Sequence, residues 1–244
     1  NEGVEEYYDY KKYNINRRVE TLRKYLNKAE VITAVSNSFA KINENCGISN
    51  VITTENGVKI IDDFKNKTIE NSKVIIAHLG GCEFHKGIDL VKSVLISDSF
   101  KNIEFSYIDY SEDTGFIEEG MWGSTLVRKY GRFEQKNIYK FLSNINILIV
   151  PSRWPESYGL VVREALSCGC RVITSNKGDL PTEIINSDYG FVFNLEDNNS
   201  LISIFTLINR NYKNFLSKPQ NSYSPRLVKK QVEDFVSIYR SILN

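Results

Sequence analysis

The sequence predicts an α/β protein built on a parallel sheet, and three observations carry that expectation. Short, almost wholly apolar runs such as Val74–His78 (VIIAH) and Asn146–Val150 (NILIV) recur along the chain, as strands buried on both faces require. Stretches of helical period alternate with them, and that alternation implies right-handed crossovers between parallel neighbours. The 244 residues are 41% hydrophobic and 25% charged, enough for one good-sized domain and part of another.

Taken in order, Asn14–Lys28 places Ile15, Val19, Leu22 and Leu26 on one helical face. The β-branched run Glu30–Val35 reads as a strand, and Ser36 can cap a helix over Asn37–Asn45 that stops at Gly47. Val51–Thr54 is a further strand and Asn56–Gly57 a turn, after which the charged stretch Ile61–Ser72 reads as a linker. Beyond it come a strand at Val74–His78, a helix at Gly87–Ile96 and a strand at Ile103–Ile108. Asp109–Gly123 is expected to be a long acidic loop, followed by a strand at Thr125–Lys129, a helix at Lys136–Asn144 and the NILIV strand. A helix at Leu160–Cys168 is closed by Gly169. Arg171–Thr174 and Gly190–Phe193 are the last strands, and Val228–Leu243 is a final amphipathic helix.

Composition narrows the function. A net charge of +1 gives no support for a nucleic-acid partner. No apolar run approaches the roughly 20 residues of a membrane span, and the polar, acidic start is unlike a signal peptide. Cys46, Cys82, Cys168 and Cys170 have neither zinc-site nor disulfide-framework spacing, and two histidines, His78 and His85, argue against a His-rich metal centre. The expectation is a soluble, cytoplasmic, metal-independent protein.

Pro151–Gly169 (PSRWPESYGLVVREALSCG) is the most informative stretch. Pro151 ends the NILIV strand because it cannot donate to a central ladder. A polar loop then turns through Gly159 into a helix, and a helix N-terminus after a strand is a ready anion site. Glu156 and Glu164 flank that site, eight positions apart. Carboxylates beside a phosphate would repel it, so they make sense as acceptors for hydroxyl groups on either side of the phosphates. A ligand with hydroxyls flanking phosphates is a sugar nucleotide. The spacing alone is weak; the order proline, serine, glutamate, glycine, glutamate–alanine, glycine between two strands is more specific.

This segment resembles the E-x7-E signature of retaining glycosyltransferases of the two-Rossmann GT-B architecture, family 4 type (glycosyl transferases group 1). The resemblance implies the C-terminal half of a GT-B fold: a Rossmann-like parallel sheet with helices on both faces, plus a partial second α/β unit. It assigns Glu156 to the donor sugar and Glu164 to the nucleotide ribose. In the loop Leu79–Gly87 (LGGCEFHKG), Gly80 and Gly81 would let backbone approach the ligand, and Lys86 would reach the diphosphate. Lys86 and the backbone groups of Ser157, Tyr158, Gly159, Leu160 and Val161 would hold the departing charge, with Glu156 and Lys86 as the catalytic pair. The family pattern has an arginine five residues before this lysine; here the position is Gly81, and Arg153 or Arg132 could substitute. In Tyr130–Phe133 (YGRF), the resemblance sets Gly131, Arg132 and Phe133 beside the nucleobase. Tyr130 or Phe133 offers a stacking face, or else fills the core beside the strand end. Gly178, in Ser175–Pro181, could supply close backbone approach, and Glu183 is either a donor-side residue or ordinary dipole compensation.

By the same resemblance, residues 1–60 are a remnant of the N-terminal, acceptor-side Rossmann domain and 61–72 the interdomain linker. Residues 73–225 are the nucleotide-sugar donor domain, and 226–244 a helix that crosses back to the first domain or packs on its own. A chain that begins with Asn1 and is about half the size of the two-domain enzymes is expected to be a fragment, which binds donor without turnover. The expected partners are a nucleotide-diphosphate sugar, a glycan or lipid-linked acceptor and the missing N-terminal domain, with peripheral membrane contact in the full-length enzyme, no metal cofactor and no nucleic acid. Polysaccharide biosynthesis is the setting the family suggests. Alternatives are a sucrose- or starch-synthase-like or inverting GT-B enzyme, and a catalytically silent nucleotide-sugar-binding module. A Rossmann oxidoreductase is disfavoured, since no G-x-G-x-x-G opens a helix after a first strand.

Overall fold

The structure is a computed structural model that describes residues 15–59, 71–185, 187–217, 219 and 223–243. They fall into two compact units, one within residues 15–55 and 233–243, the other within 56–232. The expected linker at 61–72 lies outside the described residues except for its last two positions.

In the smaller unit, α1 (Ile15–Leu26) leads to β1 (Ile32–Ala34), α2 (Asn37–Asn45) and β2 (Val51–Thr53). The two strands pair in parallel with Ile32 opposite Val51. Ser36 caps α2 as its sequence position suggests, its Oγ accepting from the Phe39 N–H at 3.1 Å.

The larger unit is a seven-stranded sheet. Its strands are β3 (Val74–His78), β4 (Ile103–Ile108), β5 (Ile117–Trp122), β6 (Thr125–Tyr130), β7 (Ile147–Val150), β8 (Arg171–Ser175) and β9 (Gly190–Phe193). The spatial order is β5-β6-β4-β3-β7-β8-β9, parallel throughout except for β5. The helices are α3 (Ile88–Ser97), α4 (Gln135–Leu142), α5 (Leu160–Ser167), α6 (Asn198–Arg210), α7 (Lys213–Leu216) and α8 (Val228–Leu243), whose last turns belong to the smaller unit.

Both faces of the sheet are covered, and the two-residue period of the strands sorts the core. On one face Ile76, Phe105, Ile147, Ile149 and Ile173 pack with Val91 and Leu95 of α3 and Phe205 of α6. On the other Ala77, Leu148, Val150 and Val172 pack with Leu142 of α4 and Val162, Ala165 and Leu166 of α5. A strand buried on both faces has no polar alternation, which is why NILIV reads as an unbroken apolar run.

The structure corrects one element. Asp109–Gly123 is not all loop: β5 lies within it, antiparallel to β6, with Trp122 opposite Thr125 across a Gly123–Ser124 turn. Gly123 has φ +58, the left-handed conformation that tight hairpin turns need. The strand escapes a pattern reading because it is an edge strand with five of six residues exposed, IEEGMW, so no face is marked apolar. Helix α6, capped by Asp197 through the Asn199 N–H (2.9 Å), also went unassigned in the sequence. Among the described residues no helix is long and apolar enough to cross a membrane.

Candidate functional site

The carboxyl ends of β3, β7 and β8 converge, where open α/β sheets gather their ligands. Two loops are laced together there. After β3 the chain makes a tight 3-10 turn over Phe84–Lys86 and leaves it through Gly87 at φ +77. A Cβ on Gly87 would sit 2.0 Å from the Pro151 carbonyl oxygen, so only glycine permits this approach. The Arg153 N–H donates to the His85 carbonyl at 2.8 Å, joining the turn to the loop after β7.

This lacing sets Lys86 Nζ 2.8 Å from Glu156 Oε1. Glu156 is held further by the hydroxyl of the buried Ser152, which donates to the same oxygen at 3.1 Å. Its own carbonyl accepts from the Asp179 N–H at 2.9 Å. The neighbouring Gly178 lies so close that a Cβ would stand 2.4 Å from the Glu156 carbonyl oxygen. The close approach expected of Gly178 is therefore made to protein backbone.

Helix α5 begins at Gly159 (φ +67) with no side chain capping it. The Val162 N–H donates to the Gly159 carbonyl at 3.0 Å, and the aligned peptide dipoles make this end electropositive. It opens on a cavity of about 370 Å³ lined by Gly80, Lys86, Glu156 and Ser157–Val161, together with His78 and Tyr110. Eight of the residues singled out in the sequence are thus brought together.

Others are not. Gly81 is buried at φ +84, and a Cβ there would lie 2.6 Å from Glu83 Oε2 and 3.1 Å from the Tyr110 ring. Glu164 lies one turn into α5, half-buried, where it accepts from the Tyr139 hydroxyl at 3.4 Å. Burial pushes its carboxyl above the ordinary range, against the Tyr139 hydrogen bond. The Tyr139 hydroxyl is itself pushed up to about 12, by burial first and the Glu164 charge second. Gly131 packs on the Asp113 backbone, 1.9 Å from a would-be Cβ, and exposed Arg132 pairs with Asp113 at 3.4 Å. Phe133 stands in an aromatic cluster with Tyr130 (5.7 Å) and Phe141 (5.1 Å), so these rings pack against the core. Arg153 forms two 2.7 Å bonds to Asp89 and stacks on Phe84 at 3.9 Å. Neither Arg153 nor Arg132 lines the cavity in place of the arginine missing at Gly81. His85 stacks on Trp154 at 4.5 Å.

Sequence reasoning missed Arg163. It is buried in α5, donates to the Tyr158 carbonyl, and lies 3.6 Å above the Tyr158 ring. Its Nη2 reaches Asp179 at 2.8 Å and Glu183 at 3.1 Å. Tyr158 in turn donates from its hydroxyl to the Asn56 carbonyl at 2.7 Å. An arginine beside Glu164 in VVREAL, with acids in the loop after the next strand, was the available signal. Among the described residues, no three His, Cys, Asp or Glu side chains converge as a metal-binding group.

The family model described as glycosyl transferases group 1 matches residues 59–215. An uncharacterized 41.2 kDa protein in the cps region of Klebsiella pneumoniae is 27% identical over 175 residues, 71% of this chain and 48% of that protein. A sulfoquinovosyl transferase of Arabidopsis thaliana is 30% identical over 135 residues, 52% of this chain and 25% of that protein. The chain therefore spans about half or less of the curated relatives it matches. Among solved structures, HepE of Anabaena in complex with UDP-glucose shares the fold with a TM-score of 0.74 at 14% identity, over 92% of this chain and 68% of that one.

Proposed function

This chain belongs to the glycosyl transferases group 1 family, and from that premise we propose that it carries the donor-binding half of a retaining, family 4 type glycosyltransferase. The observation that carries the reading is the Lys86–Glu156 pair, 2.8 Å apart, beside the uncapped start of α5 in a single cavity. In this arrangement the two side chains neutralise each other until a donor enters. Both are partly exposed, so separating them costs only about 0–1 kcal/mol. The diphosphate then takes over Lys86 and the first-turn amides of α5, which stabilise the charge that builds on it as the sugar departs. Glu156 is released to accept the sugar's hydroxyls while Ser152 and the Gly178–Asp179 backbone keep it in place. Glu164 receives the ribose hydroxyls.

The donor is a nucleotide-diphosphate sugar, used without a metal, and the acceptor a glycan or lipid-linked saccharide of polysaccharide biosynthesis. The UDP-glucose of HepE and the transferase and cps-region relatives support this choice. Residues 1–60 act as part of an acceptor-side Rossmann domain, 61–72 as the linker, 73–225 as the donor domain and 226–244 as the returning helix. The enzyme works in the cytoplasm with peripheral membrane contact. The chain alone binds donor without turnover, because in such enzymes the side chain that positions the acceptor comes from the N-terminal domain.

Calorimetric titration of UDP, GDP, ADP, CMP and NAD into the wild type and Glu164→Ala tests this. Saturable binding of one nucleoside diphosphate, weakened by about 1–3 kcal/mol in the variant, is expected. A preference for NAD, or no binding at all, overturns the reading. Glycosyl transfer by the chain alone would contradict its dependence on a further domain. A second reading, a catalytically silent binding module, is favoured by Gly81 and by the capture of Arg153 by Asp89. Donor hydrolysis or transfer once an acceptor-side domain is supplied would exclude it.

A further inference from the structure

His78 ends β3 and is buried to 1% exposure against the cavity. Its Nδ1 lies 3.1 Å from the Ile149 carbonyl oxygen of β7, and its Nε2 lies 3.0 Å from the Gly81 carbonyl oxygen. Both partners can only accept. A neutral imidazole has one N–H, so one of these contacts sets a ring lone pair against a carbonyl lone pair. The imidazolium donates to both, with no movement of either carbonyl. Gly80 lies against the ring, where a Cβ would come within 2.5 Å of His78 Cε1.

One cation and two carboxylates stand around the ring. Lys86 and Glu83 come from the loop after β3, Glu156 from the loop after β7 is paired with Lys86, and Tyr110 from the loop after β4 donates its hydroxyl to the Leu79 carbonyl at 2.9 Å. The adjoining β7 residues, Ile149 and Val150, carry no charge. Burial, and then the Lys86 charge, oppose protonation of the free site, while the two carbonyls and Glu83 favour it. A diphosphate adds two negative charges to a cavity that, among the described residues, is lined by one permanent cation, Lys86. Close charges act strongly there because water is partly excluded, and they favour the charged form of a neighbouring imidazole.

Resting on the donor site proposed above, we propose that His78 takes up a proton from solvent when a nucleotide sugar binds, and that its imidazolium supplies the second positive charge where Gly81 replaces the family's arginine. No bond to the substrate forms. His78 acts as a positioning residue: the charged ring holds the Gly80–Gly81 backbone through the Gly81 carbonyl and compensates the diphosphate through space.

The test uses UDP-glucose, GDP-mannose and ADP-glucose in turn, because their phosphates stay fully ionised across the pH range and take up no proton themselves. Calorimetry in buffers of different ionisation enthalpy, from pH 6 to 9, reads the protons taken up per donor bound. Net uptake approaching one proton is expected, with affinity falling by up to about tenfold per pH unit above the free-site midpoint. His78→Asn should abolish the uptake and flatten the pH dependence. Should that variant misfold, the wild-type imidazole proton resonances answer instead. There are two histidines, and His85→Gln identifies the other signal. The His78 midpoint should rise when donor saturates the site. Donor binding without proton uptake, or with an unmoved His78 midpoint, overturns this inference alone. No binding of any nucleotide sugar overturns the proposed donor site and this inference with it.

Discussion

Arg163 and Asp179 form a buried ion pair, Nη2 to Oδ2 2.8 Å, with each side chain only 4% exposed. The pair ties α5 to the loop after β8, and Arg163 also holds the Tyr158 carbonyl. Helix, site loop and the Gly178–Asp179 segment thus form one bracket behind Glu156. Arg163→Met would take the arginine away from a carboxylate that is only 4% exposed, leaving Asp179 with neutral donors such as the Thr182 hydroxyl at 3.2 Å. A loss of about 3–5 kcal/mol in urea denaturation is expected. Adding Asp179→Leu should recover much of it, since removing both charges abolishes the desolvation penalty.

Lys86→Ala separates stability from binding. The side chain is partly exposed, so the unfolding free energy should change by less than about 1 kcal/mol. Nucleotide-sugar affinity, measured by calorimetry, should drop by about 1.5–3 kcal/mol, the range for a hydrogen bond to a charged group. A variant that binds donor as the wild type does would remove Lys86 from the site.

Glu164 couples pH to stability. Its folded-state pKa is raised by burial, so charging the carboxyl costs more in the folded state than in the unfolded one. The stability conferred by its protonated form is complete below the unfolded value of about 4.3 and is lost as pH rises through the raised folded value. Glu164→Gln should therefore melt higher than the wild type at pH 7 and about level with it at pH 4, while binding donor more weakly. Equal melting temperatures at pH 7 would show that burial imposes no cost on this carboxylate.

Restoring the family's arginine should not help. Gly81 has φ +84, where a side chain costs about 1–2 kcal/mol. The new Cβ would also meet Glu83 and the Tyr110 ring at 2.6 and 3.1 Å. Gly81→Arg is expected to lower the melting temperature and leave donor affinity unchanged or weaker. A gain in affinity would mean that this loop reshapes easily around a larger side chain.

Much of the fold could be read from residues a few positions apart. Burial on both faces makes NILIV continuously apolar, Pro151 cannot continue the ladder, and Ser36 caps the helix it precedes. The same local signals put Lys86 and Glu156 in loops that end parallel strands, and parallel strands present those loops on one side of the sheet. Edge strand β5 was illegible because pairing with β6, not an apolar face, makes it a strand. Partner choice was illegible for a related reason. Arg153 meets Asp89 across 64 positions, and His78 faces Ile149 across 71. Periodicity, caps and turns act over one or two turns of chain, whereas a charge or ring nitrogen finds its partner only after sheet register has brought distant loops together.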